Sequence, residues 1–154
     1  MIVELFDMMN QVLGGITVSI CCILFFGVYQ KERQDAWQWS LVLIILAGLL
    51  LRIFVSTDMY LHDWDERFHA LVAKNLMEHP LLPTLYDNPV LAYDYTAWNM
   101  NHIWVHKQPA PLWIMALSMK LFGISTWAMR LPSILFSTSA IFATFFIGRY
   151  VFNR

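Results

Sequence analysis

The chain has 154 residues, of which 58% are hydrophobic and 14% are charged, and its formal net charge is -1. This balance is typical of a membrane protein, because a soluble domain of this length carries more charged side chains. The sequence has no basic tract and no glycine-rich phosphate loop, so nothing supports nucleic acid as a partner. The N-terminus lacks the basic residues of a signal peptide, so we expect the first apolar run to be retained.

Three uncharged runs are long enough to cross a membrane as helices: Val12 to Tyr29, Ala36 to Leu51 and Leu131 to Gly148. A fourth run, Pro109 to Phe122, would span roughly 21 Å as a helix, which is short of a hydrocarbon core of roughly 30 Å. It is therefore predicted to lie at the membrane interface. The sequence predicts an all-α membrane protein with three transmembrane helices and a large external loop that contains juxtamembrane helices.

Basic residues flank the short connections. Lys31 and Arg33 lie between the first two spans, and Arg149 and Arg154 follow the third. With three crossings both groups lie on one side, which the positive-inside rule makes cytoplasmic. The predicted organisation is two transmembrane helices over residues 1–56, an external loop with the candidate active site over 57–130, and a third transmembrane helix over 131–154.

Ionisable side chains are concentrated in YLHDWDERFHALVAKNLMEH, directly after the second span. Asp63 is predicted to cap a helix that runs to about Glu78, with Glu66 at its third position. As helix caps, Asp63 and Glu66 would only accept hydrogen bonds from the free N–H groups at the helix start. Asp65 and His69 fall at the edge of the apolar stripe of this helix. A carboxylate partly removed from water is a candidate general base.

The same stretch offers candidate metal ligands. Asp63-Trp64-Asp65 has a spacing that can hold a divalent cation together with a phosphate, and His62 and His69 are close in sequence. A divalent metal ion is therefore a candidate cofactor, although no cofactor is required by the pattern.

A second stretch, HIWVHKQPAPLW, places His106 and Lys107 just before the short apolar helix. Lys107 suits either a headgroup anchor or a contact to a lipid phosphate. The tyrosines and tryptophans of the loop, Tyr93 among them, suit either an interfacial belt or walls that stack on a sugar ring. Neither pattern by itself decides between these uses.

Four motifs occur in a set order: Asp65-Glu66-Arg67 after a span, Lys107 with Pro109-Ala110-Pro111-Leu112-Trp113, LFG at 121–123, and Arg130-Leu131-Pro132-Ser133. Together they resemble the first external loop of GT-C class membrane glycosyltransferases, in the branch of protein O-mannosyltransferases and the aminoarabinose lipid A transferase. The resemblance covers residues 58–154. This chain reads Lys-Gln-Pro-Ala-Pro-Leu where the family commonly has Lys-Pro-Pro-Leu. Family members have more spans, so the chain is expected to be the truncated N-terminal portion of a longer enzyme.

The resemblance implies inverting transfer of a hexosyl or pentosyl group from a polyprenyl-phosphate-linked donor to a hydroxyl of a lipid, glycan or protein. It implies a bacterial inner or plasma membrane, with the active site on the external, periplasmic side and membrane lipids as partners. The implied catalytic residues are Asp65, as general base, and Glu66. Lys107 and Arg67 are the implied contacts to the donor phosphate. Further candidate contacts to substrate or metal are Asp63, His69, His106 and Tyr93.

Two other functions remain open from the sequence. The first is a non-catalytic membrane scaffold or partner subunit, for which Phe68 and Leu71 would matter and Asp65 would not. The second is a membrane metalloprotein that uses His62, Asp65, Glu66 and His69 as ligands.

Overall fold

A computed structural model describes residues 2–94 and 96–152 of the chain, with side chains described from residue 8 onward. The helices are α1 (Ile2–Arg33), α2 (Trp37–Ser56), α3 (Asp65–Leu76), α4 (Pro109–Phe122) and α5 (Thr126–Val151). A short 3-10 turn covers Trp98–Met100. No strand occurs in this described part, which confirms the predicted all-α class. Arg154, which the predicted orientation used, lies outside the described residues.

Three of these helices are long and apolar enough to cross a membrane: Met8–Arg33 within α1, all of α2, and all of α5. The fourth apolar helix, α4, has 14 residues and matches the predicted bounds Pro109–Phe122. It is too short to span the hydrocarbon core. The prediction of an integral membrane protein with three spans is confirmed.

The chain divides into two compact units. One comprises the residues up to Asp58 and those from Ser133 onward, and the other is Met59–Pro132, here called the loop unit. Every residue predicted to act on a substrate lies in the loop unit. Each unit has its own internal packing.

Helices α2 and α5 meet within the first unit around a charged residue. The Arg52 guanidinium donates to the carbonyl of Gly48 at 2.8 Å and to the hydroxyl of Ser137 at 2.5 Å. These acceptors satisfy the guanidinium inside an apolar helix, where water is scarce. A side chain at Gly48 would meet the terminal methyl group of Ile141, which would have to rotate away.

The core of the loop unit lies between α3, α4 and the first turns of α5. Val72 and Leu76 of α3 are buried, as the predicted apolar stripe requires. The remaining buried core residues are Ala73, Leu85, Trp104, Leu112, Ala116, Met119, Ala128 and Met129. Leu85 and Trp104 come from the irregular segment between α3 and α4, so the core fixes that segment as well.

The start of α3 differs from the prediction. Its N-cap position is Trp64, without a side-chain cap, and the helix ends at Leu76 and not at Glu78. Asp63 does not cap because its carboxylate pairs with Arg67 at 2.7 Å. Glu66 instead accepts a hydrogen bond from the backbone N–H of His62 at 2.9 Å.

Helix α5 begins at Thr126, five residues before the predicted start, and continues through Pro132. Proline has no N–H, so the carbonyl of Ala128 lacks its usual helical partner. The hydroxyl of Ser118 in α4 donates to that carbonyl at 2.5 Å in a buried position. The replacement bond lets the helix extend ahead of the proline.

Ser118→Ala is expected to lower the free energy of unfolding by about 1–3 kcal/mol, because it leaves the buried Ala128 carbonyl unsatisfied. Thermal and denaturant unfolding of the detergent-purified protein measures the change. The matched background is Pro132→Ala, in which the new N–H can bond to Ala128. In the Pro132→Ala variant, adding Ser118→Ala should lower the free energy of unfolding by less than it does in the wild type. An equal loss in both backgrounds would contradict the assignment.

Candidate active site

Asp65 and Lys107 form an ion pair in the loop unit. The Lys107 ammonium nitrogen lies 3.3 Å from the Asp65 Oδ2 atom, across 42 positions of sequence. The side chain of Lys107 is 42% exposed and that of Asp65 is 47% exposed, so both groups can be reached from outside the protein. The pair places an acid at the start of α3 beside a cation two residues before α4.

Backbone hydrogen bonds tie the irregular segment to α3. The N–H of Leu85 donates to the carbonyl of His102, and the N–H of Trp104 donates to that of Pro83, both at 2.7 Å. The side-chain amide of Asn75 in α3 donates to the carbonyls of Thr84 and Leu85, at 2.9 and 3.2 Å. Two distant parts of the segment are thereby fixed against one helix.

The core then determines where Lys107 lies. Trp104 is 2% exposed and anchors the chain three residues before Lys107. Helix α4 begins two residues after it at Pro109, a residue suited to the first helical position. Lys107 is therefore held between a buried anchor and a fixed helix start. The extra residues of the Lys-Gln-Pro-Ala-Pro-Leu sequence do not carry Lys107 away from Asp65.

Aromatic rings line the face of α3 beside the pair. This aromatic cluster consists of Trp64, Phe68, His69, Trp98, Trp104 and His106. Trp98 and His106 stack with centroids 4.9 Å apart, and Trp98 meets Trp104 edge-on at 5.6 Å. The Nε1 atom of Trp104 is buried without a hydrogen-bond partner among the described residues. The cluster offers flat apolar walls next to a charged pair.

His69 is the titratable member of the cluster nearest Asp65. Burial lowers the pKa of its imidazole, the Asp65 carboxylate acts in the opposite direction, and Lys107 and His106 lower it further. The ring is therefore mainly neutral at pH 7. A neutral imidazole can donate or accept a hydrogen bond without adding charge to the site.

Glu66 is held by Arg130. The Arg130 Nε and Nη2 atoms donate to the two carboxylate oxygens at 2.6 and 3.0 Å, and the side chains are only 10% and 19% exposed. The hydrogen bond from Arg130 lowers the pKa of Glu66. Arg130 also donates to the carbonyl of Tyr60 at 2.9 Å. Arg130 belongs to the fourth sequence motif, but no local pattern predicts a pairing across 64 positions, so its role as the partner of Glu66 was not predicted.

The other candidates are placed apart from the ion pair. Arg67 lies about 200° around α3 from Asp65, and its ion pair with Asp63 is largely exposed. A contact from Arg67 to the donor phosphate, beside Lys107, stays a prediction. Tyr93 packs on the ring of His102, with centroids 3.9 Å apart, in a separate group of side chains.

The predicted metal ligands do not form a metal-sized group. Within the described part of the chain, the side chains close enough to share an ion are Glu78, His79 and Asp87, all exposed. In the predicted set, Lys107 is bonded to Asp65 and Arg130 to Glu66. Each cation already occupies its carboxylate and would repel a metal ion. A metal ion held by His62, Asp65, Glu66 and His69 stays a prediction.

Part of the chain matches a known protein family. Residues 106–154 match the dolichyl-phosphate-mannose-protein mannosyltransferase family, over about a third of the chain. The matched range contains Lys107 and Arg130 but not the acids of α3. No curated protein and no solved structure matches the chain. Over residues 106–154 the chain is therefore similar to a family of membrane mannosyltransferases.

Proposed function

We propose that this protein transfers a sugar from a polyprenyl-phosphate-linked donor to an acceptor hydroxyl, at the external face of a bacterial inner or plasma membrane. The observation that carries the proposal is the ion pair between Asp65 and Lys107. It combines a base and a phosphate-binding cation in the unit that connects two membrane helices. The description of the matching family supports a dolichyl- or polyprenyl-phosphate mannose as the donor.

Asp65 acts as the general base in this proposal. Its carboxylate takes the proton of the acceptor hydroxyl while the hydroxyl oxygen attacks the anomeric carbon of the donor sugar. The bond from that carbon to the phosphate oxygen breaks on the opposite face, which inverts the configuration. Glu66 has a positioning role, because its hydrogen bonds to Arg130 and to the backbone of His62 fix the first turn of α3.

Lys107 stabilises the leaving phosphate. A departing phosphate is a weak base, so it needs a nearby cation more than a proton donor. Without a donor, the Lys107 ammonium group lies 3.3 Å from the Asp65 carboxylate. A donor phosphate competes for the same ammonium group, so binding of the donor frees the carboxylate of Asp65 to accept a proton. Binding of the donor thereby activates the base.

The aromatic cluster forms the sugar-binding wall in this proposal. The exposed ring of Trp64 and the stacked rings of Trp98 and His106 adjoin the helix that carries Asp65. Flat rings of this kind stack on the apolar face of a sugar.

Lys107→Gln is expected to reduce kcat/KM for the donor by roughly 10- to 100-fold, because it removes one charge-assisted bond to the phosphate. The assay follows transfer from a polyprenyl-phosphate mannose by the full-length protein in lipid vesicles. Lys120→Gln is the matched control, since it removes an exposed lysine of α4 with no assigned role. Equal kinetics for the wild type and Lys107→Gln would refute the phosphate-binding role.

A further inference from the structure

A second groove lies on the side of α3 that faces away from Asp65. It has a volume of about 400 Å³ and lies between α3, α4 and the start of α5. Leu71, Met119 and Ile124 contribute apolar walls, and Ala70 lines it without filling it. This volume falls within the range of pockets that bind small molecules. The residues of the ion pair with Lys107 do not line this groove.

The charged residues of the groove are all basic. Arg67 and Lys74 line it two helical turns apart, and none of its lining residues is an acid. The side chain of Lys74 is exposed and has no ion pair or hydrogen bond within the described part of the chain. Arg67 is paired with Asp63, whose side chain is 89% exposed and can turn away into solvent at little cost.

The start of α5 adds to the positive potential. Thr126, the first residue of the helix, also lines the groove. The N–H groups of a first helical turn have no partners within the helix and carry a partial positive charge. Ser125 accepts from the N–H of Ala128, so the helix start contributes mainly through its dipole. An apolar groove with two cations and a helix start on its lining complements a molecule with an apolar tail and an anionic head.

We infer that this groove binds an anionic phospholipid of the surrounding bilayer, with its phosphate at Arg67 and Lys74 and part of an acyl chain along the apolar walls. The loop unit connects two membrane helices, so bilayer lipids are its nearest abundant amphiphiles. A soluble phosphate would leave the apolar walls unused. The inference does not depend on the transfer reaction, because the groove and the proposed active site lie on opposite sides of α3.

The test measures lipid binding by the full-length protein in detergent, by native mass spectrometry with added phosphatidylglycerol or phosphatidylcholine. We expect retained phosphatidylglycerol and little phosphatidylcholine. Lys74→Gln should weaken phosphatidylglycerol binding roughly fivefold, as expected for one cation near an anionic headgroup. Ala70→Leu keeps all charges but fills the groove, and it should weaken binding as well.

Lys31→Gln is the matched control, because it removes the same charge from the end of α1 in the other unit and should leave this binding unchanged. An equal loss with Lys31→Gln would mean that lipid binds only through net charge, and the inference would fail. It would also fail if both lipids bound equally, or if inorganic phosphate at equal concentration displaced the lipid. Circular dichroism of each variant shows that the fold is retained, and no outcome depends on sugar transfer.

Discussion

Asp65→Asn is expected to reduce the rate of sugar transfer by about 100- to 10,000-fold, the usual contribution of a general base. The amide has the same size as the carboxylate but cannot take a proton from the acceptor hydroxyl. The loss should appear in kcat, while KM for the donor changes little, because the donor phosphate is bound by Lys107. Steady-state transfer from a polyprenyl-phosphate mannose by the full-length protein measures both constants.

Asp87→Asn is the control for this substitution. Asp87 is an exposed acid of the same unit, and its carboxylate lies 3.3 Å from the ring of His79. Its loss should leave transfer within about twofold of the wild type, since exposed ion pairs contribute little. If Asp65→Asn retained full transfer, Asp65 would not be the base, and the scaffold function would become the better explanation.

Arg130→Gln is expected to lower the free energy of unfolding by about 3–5 kcal/mol, because it leaves Glu66 as a largely buried carboxylate without its cation. The first turn of α3 should loosen, which also displaces Asp65. Thermal unfolding in detergent measures the overall loss. Hydrogen exchange of the α3 amides locates it, and faster exchange is expected there than in α1.

The pH dependence of stability gives an independent test of this pair. Arg130 holds the pKa of Glu66 below its ordinary value of 4.5. The stabilisation is therefore fully present above about pH 4.5 and is lost as the pH falls through the lowered pKa of the folded state. In Arg130→Gln the stability curve should be flatter below pH 4.5, and an unchanged acid slope would contradict the assignment.

A double variant separates charge from packing. Replacing both Arg130 and Glu66 with apolar residues, as in Arg130→Met with Glu66→Leu, should recover much of the lost stability, because no unpaired charge remains. Sugar transfer is not expected to recover with it, since Leu at position 66 cannot accept the hydrogen bond that the backbone N–H of His62 donates to Glu66. Recovery of both would make the pair purely structural.

The amino-acid sequence by itself determined the membrane helices and α4. Length and apolarity decide whether a helix can cross a bilayer, and these are properties of a continuous stretch of chain. The bounds of α4 match the apolar run from Pro109 to Phe122. The structure adds that Gly123, after its end, has a φ of +87°, where glycine is favoured. The stripe that buries Val72 and Leu76 followed from helical periodicity alone.

Only the tertiary structure decided the partners of the charged side chains. The sequence suggested that Asp63 would cap α3, but its carboxylate pairs with Arg67, and the helix starts without that cap. The sequence predicted that the third span begins at Leu131, but the helix already begins at Thr126, where Ser118 of α4 supplies the bond that Pro132 cannot make. Glu66 meets Arg130, and Asp65 meets Lys107, across 64 and 42 positions. Such contacts form only when distant segments pack into a common core. A local sequence pattern therefore cannot predict which distant side chains will meet.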